Sequence, residues 1–158
     1  MNSQRIHTSD SKTIDLDRTY GVEKPNGKPF GIWYSIDRDW HDWCEGANFD
    51  GIKKFDYELD VDMYRIFKVT CLEDLRKMPT KQLFSCSELI GIDWAKFKTQ
   101  YKGFELINQN KMKFSPGLDF TSKSNEALIL FVYGLDCDGG CIWDLSAIKG
   151  VKRVSEYK

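Results

Sequence analysis

Residues 136–144 read Asp-Cys-Asp-Gly-Gly-Cys-Ile-Trp-Asp, two acids and two thiols gathered around a glycine pair and running into Ile-Trp-Asp. Such residues serve metal ligation, thiolate attack, or carboxylate stabilisation of a cation. Zinc through Cys137 and Cys141 needs two further ligands. No second cysteine pair and no His-x3-5-His stands elsewhere, the histidines being only His7 and His41. Neither a nucleophile elbow, a P-loop nor a Gly-x-Gly-x-x-Gly turn is present. The carboxylates Asp136 and Asp138 therefore carry the chemical interest of this turn.

Two other short runs combine polar groups on strand-like sequence. Arg5-Ile6-His7-Thr8-Ser9 sets an imidazole beside two hydroxyls, and Tyr34-Ser35 lies in Gly31-Ile32-Trp33-Tyr34-Ser35. His41, in Asp-Trp-His-Asp-Trp-Cys-Glu, falls between acids and is expected on the solvent side of a helix.

The elements that must position these groups follow from periodicity. Residues 4–9 and 30–35 read as strands. Trp40, Trp43, Cys44 and Ala47 recur at i, i+3, i+4 and i+7, predicting an amphipathic helix that Asp37 or Asp39 can cap. Lys-Pro-Asn-Gly-Lys-Pro at 24–29 is turn chemistry. Tyr57–Val61 alternates as a half-buried strand, with Tyr64–Val69 as its expected antiparallel partner. Thr70-Cys71-Leu72-Glu73 has capping-box spacing for a short helix through Leu75. Trp94, Phe97 and Tyr101 predict a helix after Asp93 that Gly103 ends, and Phe104–Ile107 a strand. Residues 108–125 are expected to form a long loop. Ala127–Tyr133, the most apolar run, reads as a central buried strand, and residues 142–144 and 151–154 as the last two strands. The sum is one α+β domain with a mixed, mostly antiparallel sheet and a few flanking helices.

Composition narrows the partners. With 158 residues, 41% of them hydrophobic and 14% aromatic, the chain can bury a substantial core. Its 23 basic and 24 acidic residues argue against a broad nucleic-acid or anionic-membrane footprint. The aromatics fall mainly at core spacing rather than as a stacking platform for bases. No apolar run reaches the length of a membrane span and the first residues lack a signal-peptide core, so a cytoplasmic protein is expected. Five cysteines without regular spacing read as reduced thiols.

Taken in order, His7-Thr8-Ser9, Tyr34-Ser35 and the closing segment Cys141–Ile148 with Val151–Val154 resemble the ADP-ribosyltransferase fold. The first two motifs are similar to those of rifampin-modifying and small phage anti-CRISPR transferases. The closing segment is similar to the last strands of poly(ADP-ribose) polymerase domains. That resemblance implies a split sheet and NAD as substrate. His7, Thr8 and Ser9 would hold the cofactor, His7 as a neutral donor to ribose hydroxyls or phosphate. Tyr34 would stack on nicotinamide and Ser35 would form a polar wall. The polymerases carry their catalytic Glu at the place of Gly139, so the charge facing the ribosyl cation would fall to Asp138 or Asp136. The implied activity is transfer of ADP-ribose to a protein or other acceptor, as in a phage or bacterial effector acting on a host protein, with loop 108–125 choosing the acceptor. The alternative is a non-enzymatic inhibitor or interaction protein on the same fold.

Overall fold

The computed structural model describes residues 3–21, 27–83 and 88–157. The first half of the chain forms β1 (Arg5–Ser9), β2 (Ile32–Ile36), α1 (Asp39–Ala47), β3 (Phe55–Val61), β4 (Ile66–Val69), α2 (Leu72–Leu75) and β5 (Thr80–Gln82). The second half forms β6 (Ile90–Ile92), α3 (Trp94–Lys98), β7 (Gly103–Leu106), α4 (Gln109–Lys113), α5 (Glu126–Tyr133), β8 (Gly139–Ile142) and β9 (Ile148–Glu156). Seven strands make one sheet in the order β4-β7-β8-β2-β1-β3-β9, and β5 pairs with β6 apart from it. Within the large sheet β4 and β7 run parallel, while the other neighbours are antiparallel. The expected α+β domain with a mostly antiparallel sheet is what forms.

A narrow seam divides that sheet. Between β1 and β2 the register holds only Arg5 opposite Ile36 and Ile6 opposite Ser35. One further backbone bond, from Asp37 N–H to the Gln4 carbonyl at 2.8 Å, extends the join at its base. Beyond Ile6 the strands part, β1 following β3 through Ser9 and β2 following β8 through Ile32. The halves β4-β7-β8-β2 and β1-β3-β9 therefore fork at His7 and Tyr34.

Each face of the sheet carries its own core. Successive strand side chains point to opposite faces. Phe104, Leu106, Cys141 and Val69 pack with Trp94, Phe97, Leu128 and Val132 on one face. Ile32, Tyr34, Ile36, Tyr57, Leu59 and Ile142 form the core on the other.

Several expectations change. Ala127–Tyr133 is the body of helix α5, not a strand. Ala127, Leu128 and Val132 are buried while Leu130 and Tyr133 face outward, which is helical spacing. A short apolar run is ambiguous by periodicity, and the sheet's edge order leaves it no place. β4 is not the hairpin partner of β3. The single-turn helix Met63–Arg65 redirects the chain, so that β4 pairs with β7 while β3 pairs with β1 and β9. Gly103 starts β7 instead of ending α3, which closes at Thr99. Loop 108–125 contains α4 and a helical turn at Lys123–Asn125. No side chain caps α1, so Asp37 and Asp39 are not its caps. The last two strands lie in opposite halves, β8 between β7 and β2 and β9 at the edge beside β3. The turn expected at 24–29 lies mostly outside the described residues, as does Cys86. Cys44, Cys71 and Cys137 are free thiols. No described helix is long and apolar enough to cross a membrane.

Candidate functional site

A cavity of about 310 Å³ lies at the fork, a size usual for small-ligand sites. His7, Thr8, Tyr34, Ser35 and Asp136 all border it, as does the glycine pair Gly139-Gly140. Five residues singled out from three separate segments thus meet in one place. Ser9 does not line this cavity. It borders a second one of about 440 Å³, lined also by His7, Arg18 and Tyr20, so His7 touches both.

The register explains who points where. His7 and Tyr34 share a face with Arg5, Tyr57 and Glu105, whereas Thr8, Trp33 and Ser35 share the opposite one. Only the fork lets His7 and Tyr34 border the same space as Thr8, Trp33 and Ser35. Where pairing stops, the His7 imidazole takes over: Nδ1 lies 2.7 Å from the Trp33 carbonyl oxygen. A carbonyl only accepts, so Nδ1 carries the proton and Nε2 of the neutral ring is an acceptor. Burial holds the His7 pKa below its ordinary value, partly offset by the Trp33 carbonyl and the Asp56 charge. The neutral donor expected at this position is therefore a neutral acceptor at Nε2.

That shift sets a pH dependence. A histidine with a depressed folded pKa binds its proton less readily than in the unfolded chain, so its contribution is present above the unfolded value of 6.5 and lost as pH falls. The proton NMR titration midpoint of the His7 ring is expected below 6.5, and His7→Gln should flatten the decline in thermal stability between pH 7 and 5. A midpoint above 6.5 would refute the burial argument.

Tyr34 is 5% exposed and belongs to a network that the sequence did not suggest. Its hydroxyl donates to Glu105 Oε2 at 3.1 Å. Glu105, 1% exposed, also receives Arg5 Nε at 2.6 Å and Nη2 at 3.1 Å, a bidentate pair. Burial, then the Glu105 charge, pushes the Tyr34 phenol well above its usual pKa, so it stays protonated. Arg5 and Glu105 are 100 residues apart, and two strands lie between theirs in the sheet. The ion pair therefore spans the seam. Gly140 makes this possible: a Cβ there would lie 2.6 Å from Tyr34 Oη and 2.1 Å from the Phe104 carbonyl oxygen. At Gly139 a Cβ would lie 2.2 Å from the Tyr34 carbonyl oxygen. The glycine pair is a strand compressed between two neighbours. A sequence signal for the network existed, since Glu105 is a lone acid inside the apolar strand Gly-Phe-Glu-Leu.

The two acids beside the glycines have different surroundings. Asp138 accepts the backbone N–H groups of Asn108 at 2.7 Å and Gln109 at 2.9 Å, capping α4 in place of a local side chain. Its carbonyl also receives Ile36 N–H at 3.0 Å, continuing β2. Asp136 stands exposed at the rim of the cavity. Burial, with Asp39, Asp136 and Asp138 nearby, pushes the Cys137 thiol up to about 12, which removes it as a thiolate nucleophile at neutral pH.

Cations and rings complete the lining. Lys53 borders the cavity and its backbone N–H donates to Thr8 Oγ1 at 2.8 Å. Lys28 lies with its Nζ 5.8 Å from the Trp33 ring centroid. Trp40 presents its ring from α1 and donates Nε1–H to the Gly51 carbonyl at 3.2 Å. Trp33, Trp40, Lys28 and Lys53 were not anticipated as site residues.

His41 corrects another expectation. It is 3% exposed rather than on the surface, with Nε2 3.0 Å from Asp56 Oδ2. The same oxygen receives Ser155 Oγ and Tyr157 Oη, both at 2.8 Å. α1 turns this side inward because Asp56 alternates onto the face that the helix covers. The cluster ties α1 and the end of β9 to β3.

Among the described residues no cluster of three His, Cys, Asp or Glu side chains is placed to hold a metal ion. No protein family, curated protein or solved structure was found to match this chain. What the geometry defines is an α+β protein with a forked sheet and a cleft in the fork.

Proposed function

We propose that the cleft binds NAD and that the protein transfers ADP-ribose from it to an acceptor. The observation carrying this reading is the convergence of His7, Thr8, Tyr34, Ser35 and Asp136 on one cavity furnished with two lysines and two tryptophans. An aromatic base packs on an indole plane, and a pyrophosphate is held by ammonium groups such as those of Lys28 and Lys53. His7 Nε2 accepts a ribose hydroxyl proton. In the transfer, the bond from ribose C1′ to the nicotinamide nitrogen breaks and its electron pair leaves with nicotinamide. The acceptor's lone pair then forms the new bond to C1′, and the acceptor proton passes to Asp136 or to water. Asp136 faces the cationic centre between these events.

The decisive experiment incubates the protein with labelled NAD and bacterial lysate, following free nicotinamide and label on an acceptor. Turnover is expected, with Asp136→Asn lowering nicotinamide release roughly 100-fold at little change in NAD affinity, as loss of an electrostatic group does. Absence of both NAD binding and turnover would dispose of the proposal.

A second reading rests on a specific observation. The Tyr34 hydroxyl and the Asp138 carboxylate are both engaged within the protein. In that reading the cleft binds a nucleotide without turning it over and the protein acts by occupying a partner. Saturable NAD binding with no nicotinamide release would select it.

A further inference from the structure

α1 ends in a fixed aromatic cluster beside the cleft. The Trp40 and Trp43 rings stack, with centroids 5.2 Å apart and planes inclined by 14°. Phe49 meets both edgewise, at 6.0 Å and 5.5 Å. The backbone holds Phe49 in place: Asn48 closes the helix with φ 50°, Phe49 N–H donates to the Cys44 carbonyl at 2.9 Å, and Gly51 N–H to the Phe49 carbonyl at 2.9 Å. A Cβ on Gly51 would sit 2.6 Å from Phe49 and 2.7 Å from Trp40, so the loop is packed tightly beneath the rings. Phe49 nevertheless remains 52% exposed. Trp40 and Trp43 are partly exposed. Together these contacts leave a contiguous patch of three ordered rings partly in water.

The charge around this cluster defines that partner. Segment 37–50 holds Asp37, Asp39, Asp42, Glu45 and Asp50 against one arginine, Arg38, in a chain whose net charge is only −1. Asp42 and Glu45 are about two-thirds exposed, and their approach to Arg38, 3.5 Å each, is a loose solvent-exposed contact. Burial, followed by repulsion from Asp138, Asp37 and Asp42, raises the Asp39 carboxyl above its ordinary pKa.

We infer that the Trp43–Phe49 surface docks an arginine-bearing basic segment of a partner protein. A guanidinium stacks on an aromatic face while its N–H groups reach flanking carboxylates; an ammonium does the first poorly and the second as a point charge. Trp40 belongs both to this surface and to the cleft. A docked segment thus lies at the cleft mouth, and the inference stands whether or not the cleft turns NAD over.

The test uses the full chain without NAD and a fluorescent peptide carrying four arginines spaced by glycine and serine. Fluorescence anisotropy at low salt is expected to give saturable binding, weakened about tenfold by Phe49→Ala, similarly by Asp42→Asn with Glu45→Gln, and severalfold when lysines replace the arginines. Phe49→Ala also loses two edgewise ring contacts, so its melting curve is recorded alongside and binding is read at a temperature where parent and variant are both folded. Absence of binding overturns the inference, as does binding insensitive to Phe49→Ala, which would mark mere charge attraction. Self-association of the protein lost on Phe49→Ala would assign the surface to a second copy and overturn it equally. NAD titration of the same variants reads the cleft separately, so failure of one proposal is distinguishable from failure of the other.

Discussion

Glu105→Ala is expected to be the most destructive single substitution in the sheet, lowering stability by about 3–5 kcal/mol, the usual cost of breaking a buried ion pair from one side. The change strands Arg5, whose side chain is 19% exposed, and leaves the Tyr34 hydroxyl with only the distant Phe104 carbonyl at 3.5 Å. Desolvation was already incurred when Glu105 entered the sheet, so removing the carboxylate leaves its two donors uncompensated. Arg5→Met with Glu105→Leu removes both charges and should recover most of the loss, because a buried pair is often replaceable by apolar side chains of similar size. Denaturant unfolding of both single variants and the double variant gives the coupling energy directly. Because the pair crosses the seam, hydrogen exchange at residues 4–8 and 33–37 should rise in Glu105→Ala well before β3 and β9 are affected. A loss below 1 kcal/mol with unchanged exchange at the seam would show that the pair does not hold the fork.

Gly140→Ala is the second large effect. Its new Cβ would press on the Phe104 carbonyl at 2.1 Å and on the Tyr34 hydroxyl at 2.6 Å. The carbonyl belongs to β7, which is paired with β8 on that side, and Tyr34 is buried beneath its own sheet face. Neither can withdraw without loosening hydrogen bonds, and overpacking of this kind costs about 1–3 kcal/mol. Tyr34→Phe in the Gly140→Ala background relieves the hydroxyl contact alone and should restore part of the loss. Gly46→Ala makes the control: it lies in α1 with nothing within 4 Å of the added carbon, so helix propensity predicts a gain of about 0.5–1 kcal/mol. Melting curves that place Gly140→Ala level with Gly46→Ala would refute the close approach of β2, β7 and β8.

These two effects sharpen what the Asp-Cys-Asp-Gly-Gly-Cys segment is for. Its glycines admit a tyrosine hydroxyl and two neighbouring backbones. Asp138 caps a helix, Cys137 is an inert thiol, and Asp136 alone stands at the cleft as an exposed acid. The segment shapes the fork and leaves one exposed carboxylate on its rim.

Local pattern was enough for much of the architecture. Strand-forming residues at 4–9 and 30–35, alternation in Tyr57–Val61 and the aromatic spacing of α1 and α3 each depend on neighbours a few residues away, whereas Gly139-Gly140, turn-like in sequence, lies within strand β8. The sequence alone therefore determined that an α+β domain would place His7, Tyr34 and Asp136 at element ends or on strands. Partners distant along the chain were beyond it. Ala127–Tyr133 carries no local mark separating a buried strand from a helix, and only packing against β6 and α4 settled it. His41 looked solvent-facing between two acids until Asp56, fifteen positions on, supplied a reason to turn inward. Period-two alternation sends His7 and Thr8 to opposite faces, as it does Tyr34 and Ser35, and no local rule could reunite them. The tertiary structure decided that, by parting β1 from β2 so that one cavity reaches both faces, and by spanning the gap with an arginine and a glutamate a hundred residues apart.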